Sequence, residues 1–257
     1  MAIHTRIIDL YGIPACGKTT LAEYMANHPK QGLKVATMQD CMRDAFHHKW
    51  RLVKSVSLKN FWASIRLKLS APLDKKRAVI PFKGILLLGA FKKYVRKYTD
   101  YDIVVTDHGD VQYFVSLERG DNLHESEKFK KACLHYLNVS LSTVYVYCQV
   151  DAETALQRMN ERGRNKGRMD MMSDQNLKLQ ELEKESNRFD FWTTVLKERK
   201  ASLIELDTRD SIPSVADKLF SFLIEYSYSS NCSVSSCFSL VKTSRAFSCS
   251  SFSFITL

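Results

Sequence analysis

Lys18 and Thr19 close the run Gly12-Ile13-Pro14-Ala15-Cys16-Gly17-Lys18-Thr19, which has the spacing G-x-x-x-x-G-K-[ST]. Two glycines let a backbone curl around a phosphate chain without Cβ clashes. Successive N–H groups then form an anion-binding nest, reinforced by the positive end of a following helix. In such a loop the Lys18 ammonium reaches the β- and γ-phosphates, and the Thr19 hydroxyl enters the shell of Mg²⁺. The contact set is Gly12, Ile13, Pro14, Ala15, Cys16, Gly17, Lys18, Thr19 and Thr20, and the chemistry implied is binding of a nucleoside triphosphate with Mg²⁺. A second set of charges follows later, at Arg158, Arg162, Arg164 and Arg168. Arg158 and Arg162 share a helix face, and Gly163 and Gly167 break that helix into a loop. Guanidinium groups on a closing loop could neutralise a transferring phosphoryl group; the same pattern also fits a solvated basic loop.

These residues need elements to hold them. Arg6–Tyr11 reads as a short apolar strand before the loop, and the stretch from Thr20 reads as a helix after it. That strand–loop–helix setting separates a phosphate loop from a chance glycine turn. Four more strands are expected at Lys34–Met38, Ile103–Thr106, Thr143–Val150 and Leu203–Leu206. Helical stretches separate them, which makes a parallel sheet flanked by helices the expected α/β fold. Ligands of such sheets gather at the carboxyl ends of the strands, and Asp40, Asp107, Asp151 and Asp207 fall at or beside those ends. An aspartate there can equally be a helix cap or turn former. A long polar helix or helix pair is expected over Met172–Lys200, carrying Leu179, Leu182, Phe189, Trp192 and Leu196, and a closing helix over Ser214–Ile224.

From about residue 5 to 225 the order of these pieces resembles the P-loop nucleoside and nucleotide kinases, thymidylate kinase and deoxynucleoside kinases among them. The carriers are the loop Gly12–Thr19, the strand Ile103–Thr106 running into Asp107-His108-Gly109, the strand and helix before the arginine cluster, and Leu203-Ile204-Glu205-Leu206-Asp207-Thr208. The resemblance implies a three-layer P-loop NTPase fold with a five-stranded parallel sheet, and an ATP-dependent kinase. It implies that Asp107 holds Mg²⁺ together with Thr19, the alternative being a structural cap. His108 stands where the thymidylate kinase pattern has arginine, so the acceptor side lacks a fixed cation; Asp110 could share the acidic role. Asp40 matches the position of the acid that takes the proton from the attacking hydroxyl in deoxynucleoside kinases. Here Gln39-Asp40-Cys41 replaces that family's Glu-Pro, and a helix cap is the other reading. Lys18, Asp40, Asp107, Arg162, Arg164 and Arg168 are thus the expected catalytic set, the three arginines on a lid spanning 158–170 and Arg158 kept to the supporting helix.

Composition sets the bounds. The chain of 257 residues is 45% apolar and 26% charged, as in a globular domain, and no apolar run is long enough to span a bilayer. The first strand begins close to residue 1 and the seven cysteines form no C-x-x-C pair, so a cytoplasmic protein with reduced thiols is expected. Cys16 reads as packing, with a reactive thiol as the alternative. The net charge of +10 comes from Met42–Asp100, where fifteen Lys and Arg face three acids. That segment, 42–100, is open to three readings: an acceptor pocket for an anionic small molecule, a nucleic-acid surface built with Phe61, Trp62 and Tyr94, or a solvated helical face whose aromatics are core. A homodimer is also left open. The kinase-like domain is expected to span 1–226. Over 227–257, serine exceeds a third of the residues with no sustained period, and this tail is expected to be disordered. The function expected is phosphoryl transfer to a nucleoside, nucleotide or other small acceptor. The alternatives are a nucleic-acid-associated protein such as a polynucleotide kinase, or a nucleotide-binding regulator with little turnover.

Overall fold

The computed structural model describes residues 5–30, 32–70, 79–118, 126–142, 144–162 and 169–231, with backbone only for 79–82 and 226–231. Arg164, Arg168 and the tail beyond Asn231 therefore lie outside the described residues, as does 71–78 of the basic segment. In chain order the elements are β1 (Arg6–Tyr11), α1 (Lys18–Asn27), β2 (Val35–Thr37), α2 (Met38–His47), α3 (Lys49–Ser55), α4 (Leu58–Ser70), α5 (Val79–Tyr98) and β3 (Ile103–Thr106). They continue with α6 (Asp110–Leu117), α7 (Glu127–Val139), β4 (Val144–Gln149), α8 (Ala152–Glu161), α9 (Gln175–Glu198), β5 (Leu203–Asp207) and α10 (Ile212–Asn231).

All five strands pair in parallel, in the order β2-β3-β1-β4-β5. β1 lies at the centre, with Asp9 level with Thr106 on one side and Tyr145 on the other. Both neighbours of β1 belong to later parts of the chain, so the strand order changes direction at β1, where ligands of open α/β sheets bind. Successive side chains on a strand face opposite layers. Ile7 joins a cluster with Met38 and Cys41 of α2 and Leu88, Phe91, Tyr94 and Val95 of α5. Ile8 and Leu10, on the other face, are equally buried, so both faces of the sheet are covered. This is the α/β P-loop architecture, with the five strands where the residue pattern placed them.

Element ends follow from local chemistry. β2 stops at Thr37, one residue earlier than expected, because Thr37 caps α2: its hydroxyl accepts from Asp40 N–H while the Asp40 carboxylate reaches back to Thr37 N–H. Met38 thus belongs to the helix. α9 begins at Gln175 because Asp174 accepts from Asn176 and Leu177 N–H at 2.9 and 3.1 Å. Leu182, Phe189, Trp192 and Leu196 are buried along it, Leu179 is half-buried, and Trp192 Nε1 donates to buried Glu118 at 2.7 Å. The last helix is longer than expected, reaching Asn231, with Val215, Leu219, Phe220 and Leu223 buried. The chain divides into two units, Met1–Ala216 and Asp217–Leu257, with α10 beginning in the first and continuing in the second.

Candidate functional site

The loop between β1 and α1 has left-handed backbone at Gly12 (φ 146°), Ala15 (φ 62°) and Gly17 (φ 95°). At Gly12 a Cβ would sit 2.5 Å from Cys148 O and 3.0 Å from Cys16 Sγ, so both conformation and space demand glycine. Ala15 adopts its left-handed φ without that freedom, a local strain of the kind found where a loop is held open for a ligand. Left-handed residues within a loop let neighbouring N–H groups turn toward a common anion. Gly17 caps α1 without a side-chain bond, and the first turn of that helix carries no acid, so its positive end is uncompensated.

Lys18 is buried, with 9% of its surface exposed. Its ammonium donates to Gly12 O at 2.7 Å, to Ile13 O at 2.9 Å and to Cys16 Sγ at 3.3 Å. The reason is geometric: the loop wraps around the side chain, and its carbonyls satisfy a charge that burial would otherwise make costly. Cys16 is fully buried. Burial acts to raise its thiol pKa, but the contact with Cys148 and the Lys18 charge outweigh it and the net direction is down. Packing, not exposure, is thus what the structure shows for Cys16.

Thr19 is exposed and its hydroxyl donates to Asp107 Oδ2 at 2.6 Å. Eighty-eight residues separate the two in sequence, and β3, pairing directly with β1, brings them together. Asp107 is itself nearly buried, at 9% exposure. An alcohol and a carboxylate oxygen side by side at the mouth of an anion nest suit Mg²⁺, which takes one or two protein oxygens and fills its octahedron with water and phosphate oxygens. The residues present therefore fit the ion. His108, next to Asp107, keeps an exposed surface; desolvation by its surroundings lowers its pKa, against the pull of Asp107 in the other direction.

The other strand-end aspartates are engaged elsewhere. Asp40 lies in the capping box of α2, and its second oxygen accepts from Arg43 at 2.7 Å. Asp151 is the N-cap of α8 and bonds Thr154 N–H and hydroxyl at 2.7 and 2.8 Å. Asp207 holds the guanidinium of Arg209. Asp110 does not extend the acidic mouth of the loop: it is fully buried and bonded to Lys92 at 2.7 Å.

Of the arginine cluster, Arg158 stays on α8 and donates to Thr208 O at 2.8 Å, the supporting position expected for it. Arg162 pairs with Asp170 at 3.0 Å, while Arg164 and Arg168 lie outside the described residues. In the basic segment the reading of its aromatics as core holds for Phe91 and Tyr94 and fails for Phe46, Trp50 and Trp62, which are exposed; Phe61 is half-buried. Residue patterning missed Asp9 and Lys92, which form a buried charged set with Asp110. Its only trace in the sequence is a charged residue in the middle of an apolar strand. Among the described residues no helix is long and apolar enough to cross a membrane.

The strand order and the left-handed loop between β1 and α1 define an α/β protein of P-loop architecture. No protein-family model and no curated protein matches the chain. Among solved structures, the chain is similar to deoxyadenosine kinase from M. mycoides with bound dATP, at 16% identity and a TM-score of 0.47, over 85% of this chain and 98% of that one. A second structure of that enzyme, with the products dCMP and a flexible dCDP bound, matches at the same identity and TM-score over 85% and 99% of the two chains.

Proposed function

We propose that the chain is an ATP-dependent phosphotransferase acting on a small hydroxyl- or phosphate-bearing acceptor, a nucleoside or nucleotide being the first class to test. The observation that carries this reading is the 2.6 Å bond between Thr19 and Asp107 at the mouth of the left-handed loop. It brings a loop hydroxyl to a carboxylate, a pair that would hold Mg²⁺ beside a bound phosphate chain. Magnesium, when bound, supplies charge neutralisation on the β- and γ-phosphate oxygens. The loop N–H groups and the first turn of α1 would bind the phosphate chain. Lys18 would exchange its bonds to Gly12 O and Ile13 O for phosphate oxygens, moving a buried charge from one set of acceptors to another. The cations beyond Lys18 would come from the 158–170 lid, with Arg162 as the described candidate.

The test is release of ADP from Mg·ATP across a panel of nucleosides, nucleotides and other small acceptors, with Lys18→Met beside the parent chain. Methionine keeps the aliphatic stem and removes the ammonium. Turnover should fall by roughly 10²-fold or more, the scale of one lost charge contact at a transition state. Equal turnover in parent and variant would remove the loop from the chemistry.

A second reading, an oligonucleotide acceptor, draws on the exposure of Trp50 (80%) and Trp62 (61%) among Lys49, Arg51, Lys54, Lys59 and Arg66. Exposed aromatics beside basic residues suit stacking and phosphate contact. It requires single-stranded oligonucleotides to bind with a steep salt dependence and Trp50→Ala or Trp62→Ala to weaken that binding.

A further inference from the structure

Asp107 is carried by a turn, Asp107-His108-Gly109, between the end of β3 and the start of α6. What fixes that turn lies beneath it. The N–H of Asp110 donates to Asp9 Oδ2 at 2.8 Å, so β1 holds the first residue of α6. Gly109 rests directly on the same carboxylate: a Cβ there would fall 1.1 Å from Asp9 Oδ1. Its φ of −93° suits any residue, so the close approach, not the backbone conformation, requires glycine.

The carboxylate under the turn is itself held in place. Lys92 of α5 places its ammonium 2.7 Å from Asp110 Oδ1, 3.4 Å from Asp9 Oδ2 and 2.6 Å from Ser142 Oγ. The Ser142 hydroxyl stands 3.1 Å from a carboxylate oxygen of each aspartate, Tyr145 donates to Asp110 Oδ2 at 3.3 Å, and Ser140 donates to the same oxygen. Asp9 and Asp110 are fully buried and Lys92 is 1% exposed. Two buried carboxylates on one ammonium leave an uncompensated charge, and apolar residues of similar volume would stabilise such a site at least as well. The cluster joins β1, α5, α6 and the segment leading into β4, and its bonds end on the turn that delivers Asp107 to Thr19.

We infer that Asp9 and Lys92 are positioning residues for the metal-binding end of the site, setting the turn 107–110 so that the Asp107 carboxylate meets the Thr19 hydroxyl. This rests on the reading of Asp107 and Thr19 as the Mg²⁺ side of the phosphate site. Asp9 and Lys92 themselves touch neither nucleotide nor ion; they act through the Gly109–Asp110 backbone.

The test follows binding of a fluorescent ATP analogue, first in EDTA and then with increasing Mg²⁺, together with the melting temperature of each variant. Asp9→Ala should raise the Mg²⁺ concentration for half-maximal binding by about tenfold, the lower end of the effect seen when a group supporting a metal ligand is removed. Metal-free binding should stay within about twofold of the parent, because the loop and Lys18 are untouched. Asp9→Asn, which keeps an oxygen for the Asp110 N–H, should recover most of the shift. In an Asp107→Ala background the Asp9 substitution should add nothing, since the residue it positions is gone. A lowered melting temperature with unchanged Mg²⁺ dependence would make the cluster a fold support only and overturn the inference. Should Asp9→Ala not fold, Ser142→Ala, which removes a hydroxyl between the two carboxylates, carries the same comparison with about a threefold shift expected; an unshifted curve there overturns it equally. If Asp107→Ala itself leaves the Mg²⁺ dependence unchanged, the functional reading fails and the inference with it. If Asp107→Ala shifts it and Asp9→Ala does not, only the inference falls.

Discussion

At the scale of single residues, four strand-end aspartates of the same type carry four different duties, decided by what each carboxylate meets. Asp107 meets an alcohol on the loop after β1, Asp151 meets the N–H and hydroxyl of Thr154 in α8, Asp207 meets Arg209, and Asp40 meets its own helix start and Arg43. The capping bonds do not consume Asp40 entirely, since it stays at the surface. Asp40→Asn separates its two uses. As a base it would lose turnover by about 10²-fold with stability nearly unchanged, because an amide cannot take a proton. As a cap it would leave turnover within about twofold and cost at most about 1 kcal/mol of stability, since an asparagine oxygen still accepts a hydrogen bond. Steady-state rates and denaturant melts of the one variant decide between them, and we expect the first outcome if the acceptor is a hydroxyl.

At the scale of elements, the two described arginines at the end of α8 have different partners. The Arg158 bond to Thr208 O ties the helix to the end of β5, where Thr208 also donates its hydroxyl and its N–H to Gln149 O at 2.9 Å. Arg158→Ala should therefore lower the melting temperature more than it lowers the rate. Arg162 is held by Asp170, whose side chain is 6% exposed while that of Arg162 is 35% exposed. If the lid brings Arg162 to the transferring phosphoryl group, Arg162→Ala lowers single-turnover rates by roughly 10²-fold with a much smaller change in ATP affinity. Asp170→Asn should in that case leave the rate near the parent's, because it releases the guanidinium instead of removing it. Equal, small losses in both variants would instead mark the pair as structural.

At the scale of the whole molecule, the buried charges beneath the sheet's central strand tie folding to pH. Burial is the largest influence on Asp9 and raises its pKa from 3.8 to about 6, with Lys92 pulling it down and Asp110 pushing it up. The groups facing it are Lys92 from α5, Asp110 from α6, and Ser142, with Tyr145 of β4 bonded to Asp110. The folded chain therefore keeps a proton on Asp9 over a range where the unfolded chain has lost it. Stability contributed by this group falls as pH rises from about 4 to about 6 and is level above that. Asp9→Asn removes the effect, so the stability of the parent relative to this variant should decline between pH 4.5 and 6.5. A difference that stays flat or grows with pH would mean that the Lys92 attraction outweighs burial.

Strands β1 and β3 were legible to the residue, and the left-handed loop between β1 and α1 was legible as a glycine-dependent turn, because hydrophobic period and glycine spacing are local properties. The Thr37 boundary and the duties of Asp151 and Asp207 needed only neighbouring residues, yet the same aspartate fits cap, turn and metal ligand alike, so type and position left them undecided. The burial of Lys18 depends on how the loop closes around it, and the exposure of Trp50 and Trp62 on which helix faces find partners; neither is a property of the residues taken alone. Asp9, Lys92 and Asp110 lie 83 and 18 residues apart along the chain, and no spacing rule joins them. The sequence by itself determined the strands of the sheet, the glycine loop after β1 and the charge. Only the tertiary structure decided which carboxylate meets Thr19 and which are buried against Lys92, because burial and pairing across a parallel sheet follow from long-range register and packing that local pattern does not encode.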